Sequence, residues 1–152
     1  KKAYELIKNK EKFDQGKTQE LQDILKSENI NFNQAMQLIK EDADPHTQVT
    51  LYGSETTLLQ SALDFKNYSA VRDIVNHEKM KLTDKDLSLF LQSDHLTEFL
   101  KQQNIKQKVI NVLLQKVNGK INENKQHENL PLNQISTLLT NYSSNSKAQH
   151  DN

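Results

Sequence analysis

The sequence contains no cysteine, so neither disulfide bonds nor thiolate metal ligands are available to it. It has three glycines and two prolines among 152 residues, which leaves little material for a glycine-rich phosphate cradle. No apolar run approaches the length that spans a bilayer. These absences fit a reducing cytosol and predict a cytoplasmic protein with no membrane span.

Arginine is also scarce, because Arg72 is the only arginine among the twenty basic residues. The planar arginine fork is the group that best reads phosphates and guanine edges, so we expect no nucleic-acid partner. The charges are divided unevenly. Residues 1–100 carry 13 Lys and Arg against 17 Asp and Glu, and residues 101–152 carry 7 against 3, so the two parts differ as −4 and +4. This asymmetry either orients a partner or simply reflects a solvated surface.

Catalytic motifs are missing from the chain. It has no nucleophile elbow, P-loop, dinucleotide fingerprint or metalloprotease helix. The five histidines are far apart, and none has a second ligand at helical spacing, so we predict no metal site and no cofactor. His95 beside Asp94 is interpreted as a pair at a helix start, and Asp84 and Asp86 as capping residues. The chain is therefore predicted not to be an enzyme.

What the sequence does contain is apolar residues clustered at helical spacing. The hydrophobic fraction of 34% and the mean hydropathy of −0.83 are low for a compact globule. A thin array of helices, with one domain over residues 1–142 and a polar tail over 143–152, would explain both values. Helical hairpins this short cannot bury their own apolar faces and must stack on similar neighbours.

The apolar spacing and the turn residues predict the following elements. A helix over residues 2–13 ends near Gly16, and Thr18 caps the next helix. Three hairpins cover residues 18–41, 57–76 and 84–101, with Thr57 capping the second and residues 83–86 forming a cap-like cluster before the third. Helices over 105–118 and 131–142 follow, the first of them ending at Asn118-Gly119.

One stretch, residues 42–75, has a more specific pattern. It contains Ala43-Asp44-Pro45, then an extended segment, then Thr57-Leu58-Leu59-Gln60, Ala62-Leu63 and Val71-Arg72-Asp73-Ile74-Val75. In this order the letters resemble an ankyrin repeat, with the best match over residues 34–75. Asp42 stands where that family has a turn glycine, and Gln60 stands where it has histidine. The resemblance implies an all-α, ankyrin-like stack of helical hairpins with one extended β-finger and a diverged C-terminal cap.

The resemblance also implies a module that binds another protein. The contacts would come from the finger and from the exposed face of the following helix, with Tyr52 and Phe65 as aromatic anchors. The candidate partner-binding residues are Gln48, Thr50, Tyr52, Ser54, Ser61, Asp64 and Phe65. Packing of Tyr52 and Phe65 inside the chain is the competing interpretation.

Two further expectations concern context. The abundance of Lys, Asn, Gln and Ile suggests an AT-rich genome, and divergent ankyrin-like repeats occur in proteins of intracellular bacteria, so an effector that binds a host protein after translocation into the host cytosol is one hypothesis. The start at Lys1 suggests a piece of a longer polypeptide. The alternative function is therefore a capping or docking domain within that polypeptide. A weaker hypothesis uses the basic C-terminal third to bind an acidic membrane surface or nucleic acid.

Overall fold

The computed structural model describes residues 13–123 and 130–144, and it is mostly helical with one small β-hairpin. The predicted all-α class is thereby confirmed. Residues 2–12 of the predicted first helix and residues 145–152 of the predicted tail lie outside the described residues, whereas Phe13 is not helical and Ser143 and Ser144 belong to the last helix and not to a tail. No helix among those described is long and apolar enough to cross a membrane.

The described elements follow one another as short helices interrupted once by the hairpin. They are α1 (Gln15–Leu25), α2 (Phe32–Lys40), β1 (Val49–Leu51), β2 (Ser54–Thr56), α3 (Leu58–Asp64), α4 (Tyr68–Asn76), α5 (Asp84–Phe90), α6 (His95–Phe99), α7 (Gln107–Glu123) and α8 (Leu130–Ser144). The chain divides into two compact units, one ending at Leu58 and the other starting at Leu59. The first unit holds α1, α2 and the hairpin.

In the first unit α1 packs against α2, and their facing residues form a small core. Its fully or nearly fully buried members are Leu21, Leu25, Ala35, Leu38 and Ile39. They recur at intervals of three and four, as the helical spacing of the sequence predicts.

The start of α1 differs from the prediction. Asp14 is the N-cap, and its carboxylate accepts a hydrogen bond from the Lys17 backbone N–H at 2.8 Å. Gly16 lies in the first turn of α1 and does not end a helix. Thr18 is not the cap, because its hydroxyl oxygen accepts from the backbone N–H of Asp44 at 3.0 Å. Asp14 is the better cap because its carboxylate also interacts favourably with the positive end of the helix dipole.

Helix α2 ends in a left-handed turn at Asp42, whose φ is +78°. The Asp42 N–H donates to the Ile39 carbonyl at 3.1 Å, and the Ala43 N–H donates to the Leu38 carbonyl at 2.9 Å. These two bonds form the Schellman motif, which satisfies carbonyls that a helix end would otherwise leave unpaired. A left-handed residue is required here, which is the role glycine has in many helix ends.

The second unit packs α4 on α6, α5 on α6 and α7, and α8 on α6 and α7. The rings of Phe90 and Phe99 meet at a centroid distance of 5.1 Å and are tilted by 54°, within the favourable range for aromatic pairs. Thr83 and Asp86 form a reciprocal capping box at the start of α5, which confirms the cap-like cluster in that segment.

Helix α7 does not end at Asn118-Gly119 but continues to Glu123. Val109, Leu113 and Val117 are buried on one face, and Ile121 continues that face one turn further. Packing of α7 against α8 therefore outweighs the cost of about 1 kcal/mol for a glycine in a helix interior.

Replacing Gly119 by alanine should raise the free energy of unfolding by about 0.5–1 kcal/mol, since no atom besides its chain neighbours and the backbone of α7 lies within 4 Å of the added Cβ. The matched change Gly53→Ala should lower it by about 1–2 kcal/mol, because φ at Gly53 is +81°. Urea unfolding followed by circular dichroism measures both. A loss of stability in Gly119→Ala would contradict a continuous α7.

Candidate functional site

The hairpin formed by β1 and β2 in the first unit is the most exposed regular element of the predicted interaction surface. We call residues 49–56 the finger. Its strands are antiparallel, with Val49 opposite Thr56, Thr50 opposite Glu55, and Leu51 opposite Ser54. The confirmed finger is short, with three residues in each strand.

The turn of the finger consists of two residues with positive φ, Tyr52 at +52° and Gly53 at +81°. A two-residue turn with both φ values positive is of the type that matches the twist of a hairpin. Glycine takes this conformation readily, but a bulky aromatic residue does so at a cost. Tyr52 is also 102% exposed, so its ring is not buried against this chain and repays none of that cost by packing.

Polar contacts within the first unit anchor the base of the finger. The Gln22 side-chain amide donates to the hydroxyl of the buried Thr47 at 2.7 Å. The Asp44 carboxylate accepts from the His46 N–H at 2.9 Å, and the Asp44 N–H donates to Thr18. The bonds to Gln22 and Thr18 connect the segment before β1 to helix α1, so the finger extends from a fixed base.

The remaining predicted finger residues have the exposure that the prediction required. Gln48, Thr50 and Ser54 are exposed, whereas Val49 between them is buried. The alternation follows from the two-residue period of a strand, in which one face of β1 contacts the core. The exposed groups are one amide, two hydroxyls and one phenol, together with the carboxylate of Glu55 in β2, and they are suited to hydrogen bonding and aromatic contact.

In the second unit, Asp64 and Phe65 lie at the end of α3 and are both exposed, Phe65 to 58%. Lys66 has φ +57°, and its N–H donates to the Leu63 carbonyl at 3.0 Å. The Asn67 N–H then donates to the Ala62 carbonyl at 2.9 Å, which completes a second Schellman motif. This turn fixes the backbone that carries Phe65.

Ser61 was expected on the same exposed face, and that expectation is wrong. Its side chain is buried, with 6% exposure. Ser61 follows the fully buried Leu58 by three positions, so both lie on one side of α3. Ser61 is therefore removed from the candidate surface, which leaves Asp64 and Phe65 on this helix.

Asp94 and His95 lie at the start of α6, as the sequence predicts, but the side chain of His95 has its hydrogen-bond partner elsewhere. Asp94 occupies the N-cap position of α6 without a side-chain cap hydrogen bond. His95 is 9% exposed, and its Nδ1 lies 2.9 Å from the Tyr68 hydroxyl, within hydrogen-bonding distance. Tyr68 follows the turn after α3 and His95 begins α6, so this pair links two helices that contact each other. A residue 27 positions away supplies the partner, which no local pattern indicates.

Burial raises the pKa of the Tyr68 phenol, and the carboxylates of Glu98 and Asp94 raise it further. The neutral phenol is therefore favoured in the folded state. Among the described residues no group of three His, Asp or Glu side chains is placed to hold a metal ion. The Tyr68–His95 pair is best explained as a structural hydrogen bond that satisfies a buried ring.

Residues 77–82 lie between α4 and α5 and were not among the predicted contact residues. Met80 and Leu82 from this segment line a groove together with Val109 and Val112 of α7. Lysines alternate with the apolar residues at positions 79–82, and this period-two alternation was the signal available in the sequence.

Replacing Tyr68 by phenylalanine should lower the free energy of unfolding by about 1–3 kcal/mol at pH 7, because the buried His95 ring loses its partner. The folded-state pKa of Tyr68 lies above its unfolded value of about 10, so this stabilisation is lost as the pH rises through and beyond 10. The difference between wild type and Tyr68→Phe should therefore shrink in alkaline urea titrations. Tyr52→Phe is the control, since its exposed hydroxyl should matter at neither pH.

Comparisons with protein-family models, with curated proteins and with solved structures find no match to this chain. The ankyrin resemblance of residues 34–75 therefore stays a prediction.

Proposed function

We propose that this chain is a non-catalytic module that recognises another protein, and that the finger makes the principal contact. The proposal depends mainly on the exposure and the backbone conformation of Tyr52. Its ring is completely exposed at the end of a hairpin and has a backbone conformation that costs energy for an aromatic residue. Strained residues held by a well-anchored base are concentrated at functional sites.

A tyrosine in this position has the properties of an interface anchor. Tyrosine and tryptophan are enriched among the few residues that supply most of the energy of protein interfaces. The finger is anchored by hydrogen bonds to α1, so little backbone freedom would be lost when a partner covers it. Gln48, Thr50, Ser54 and Glu55 are exposed polar residues in the same segment, which suits a polar rim.

The order of elements over residues 32–76 supports an ankyrin-like interpretation of the module. A helix ends in a left-handed turn, Ala43-Asp44-Pro45 follows, and then come the hairpin and two short helices. Asp42, at the position of the family's turn glycine, has φ +78°, which is the conformation that glycine supplies most easily. A stack of such repeats is the proposed architecture, and a host protein in the cytosol is the proposed partner.

A docking role inside a longer polypeptide is the second candidate. It is favoured by Phe65, a large apolar side chain that is 58% exposed in the second unit. If Phe65 docks onto another part of the same polypeptide, the isolated chain should self-associate through it, because exposed apolar surface promotes association. Light scattering of wild type and Phe65→Ser distinguishes the candidates. Self-association that Phe65→Ser abolishes supports docking, whereas a monomer in both supports recognition by the finger.

The finger proposal is tested first by placing the photo-crosslinking residue p-benzoylphenylalanine at position 52 in the full chain. The same residue at Asn111, an exposed position of α7, is the control. We expect a partner that crosslinks from position 52 and not from position 111. Equal crosslinking from both positions would contradict a specific contact.

The second step measures affinity between the purified partner and the variant Tyr52→Asn. Asparagine followed by Gly53 is the preferred pair for this turn, so the variant keeps the finger while it removes the ring. The affinity should fall at least about 30-fold, as expected for a residue central to an interface. Unchanged affinity in a folded Tyr52→Asn variant would reject the finger as the contact.

A further inference from the structure

The second unit contains a groove with an apolar floor, separate from the finger residues. It has a volume of about 260 Å³ and is open to solvent. The groove is formed by the end of α4, the segment that follows it and the first half of α7. The residues that line it are Val75, Glu78, Met80, Lys81, Leu82, Lys108, Val109 and Val112.

The floor of the groove combines buried and partly accessible side chains. Val75, Met80 and Val109 are buried in the core of the unit. Leu82 and Val112 are only half-buried, so apolar surface remains accessible within the groove. Covering such surface with another apolar group is favourable because it removes apolar area from water.

Positive charge predominates around this floor. Lys81 and Lys108 belong to the lining, and Glu78 is the single acidic residue in it. The neighbouring His77 is affected by the same excess of positive charge. Its pKa is lowered first by burial and then by Lys79, Lys106 and Lys108, and only Glu78 opposes the lowering. An occupant that brings carboxylates would therefore meet a complementary field.

The size and the openness of the groove favour a polypeptide over a small molecule. Pockets for drug-sized ligands enclose about 300–1,000 Å³ and cover most of the ligand, whereas this groove is smaller and open. It has room for the apolar side chains of a segment whose backbone and charges stay at the surface, which is how amphipathic helices occupy grooves.

We propose that this groove binds an acidic, amphipathic segment of a partner polypeptide. One or two aliphatic side chains of that segment contact Leu82 and Val112, and its carboxylates pair with Lys81 and Lys108. This contact is independent of the finger and adds a second recognition surface to the chain.

The test uses the full chain and a fluorescein-labelled synthetic peptide of about twelve residues, with leucines at helical spacing and glutamates elsewhere. Fluorescence anisotropy measures binding. Two comparison peptides separate the contributions, one with lysine in place of glutamate and one with serine in place of leucine. We expect binding of the acidic amphipathic peptide alone, and weaker binding as salt is added.

Two variants test whether the peptide binds in the groove, and a third variant is the control. The double reversal Lys81→Glu with Lys108→Glu should weaken binding at least about tenfold, since two attractions become repulsions. The matched double reversal Lys26→Glu with Lys66→Glu changes the net charge equally at exposed positions outside the groove and should leave binding within about twofold. Val112→Asp should abolish binding, with circular dichroism as the check that the variant is folded.

The proposal is overturned if the two double reversals weaken binding equally, or if all three peptides bind alike. It is also overturned if the chain ignores the acidic peptide but sediments with vesicles of phosphatidylcholine and phosphatidylserine, because the basic surface would then serve a membrane. Tyr52→Asn should bind the peptide as wild type does. Loss of peptide binding in that variant would contradict two independent surfaces.

Discussion

The helices of this chain are short, so the backbone must turn every few residues. The other features of the structure depend on how the chain makes these turns. With three glycines available, the described chain places residues with side chains in the left-handed region at four positions that follow helices, Asp42, Lys66, Ser93 and Asn104, and at Tyr52 in the finger. Each such residue costs energy that glycine would not. The Schellman bonds at two of these turns recover part of it by satisfying helix carbonyls. The chain can therefore reverse direction often without becoming rich in glycine.

In the second unit, side-chain hydrogen bonds hold the loop before α7 in place. The side-chain N–H of Asn76 donates to the Asn104 carbonyl at 2.9 Å, and the side-chain oxygen of Asn76 accepts from the Lys106 backbone N–H at 2.9 Å. From α8, the Tyr142 hydroxyl donates to the Gln102 carbonyl at 2.6 Å. The loop before α7 is thus held from two sides. Because Asn76 ends α4 and Lys106 precedes α7, the same bonds set the spacing of the elements that form the groove of the second unit.

The two proposed surfaces differ in how they would bind. The finger offers an exposed aromatic ring on a rigid base and would insert into a partner, whereas the groove offers an apolar floor with lysines and would receive side chains. Rigid anchoring lowers the entropy cost of binding in the first case. Charge complementarity mainly raises the association rate and the specificity in the second. Neither surface needs a catalytic group, which is consistent with a module for recognition.

Much of the fold followed from local patterns. Apolar residues at intervals of three and four predicted every described helix, and the Thr83 cluster predicted its own capping box. These features depend on residues within one or two turns of each other, so the sequence contains the information directly. Tyr52 and Phe65 are exposed, which is one of the two arrangements that the sequence left open.

Other features were decided only when distant residues met. Gly119 is a helix stop by propensity, yet α7 continues through it because α8 covers its apolar face. Thr18 became an acceptor for Asp44, and His95 a partner of Tyr68, across 26 and 27 positions. Ser61 lost its predicted exposure to the burial of one side of α3. The sequence alone determined where helices form and which residues could be exposed, whereas the tertiary structure decided which polar groups pair and where a groove opens, because packing energy outweighs local propensity.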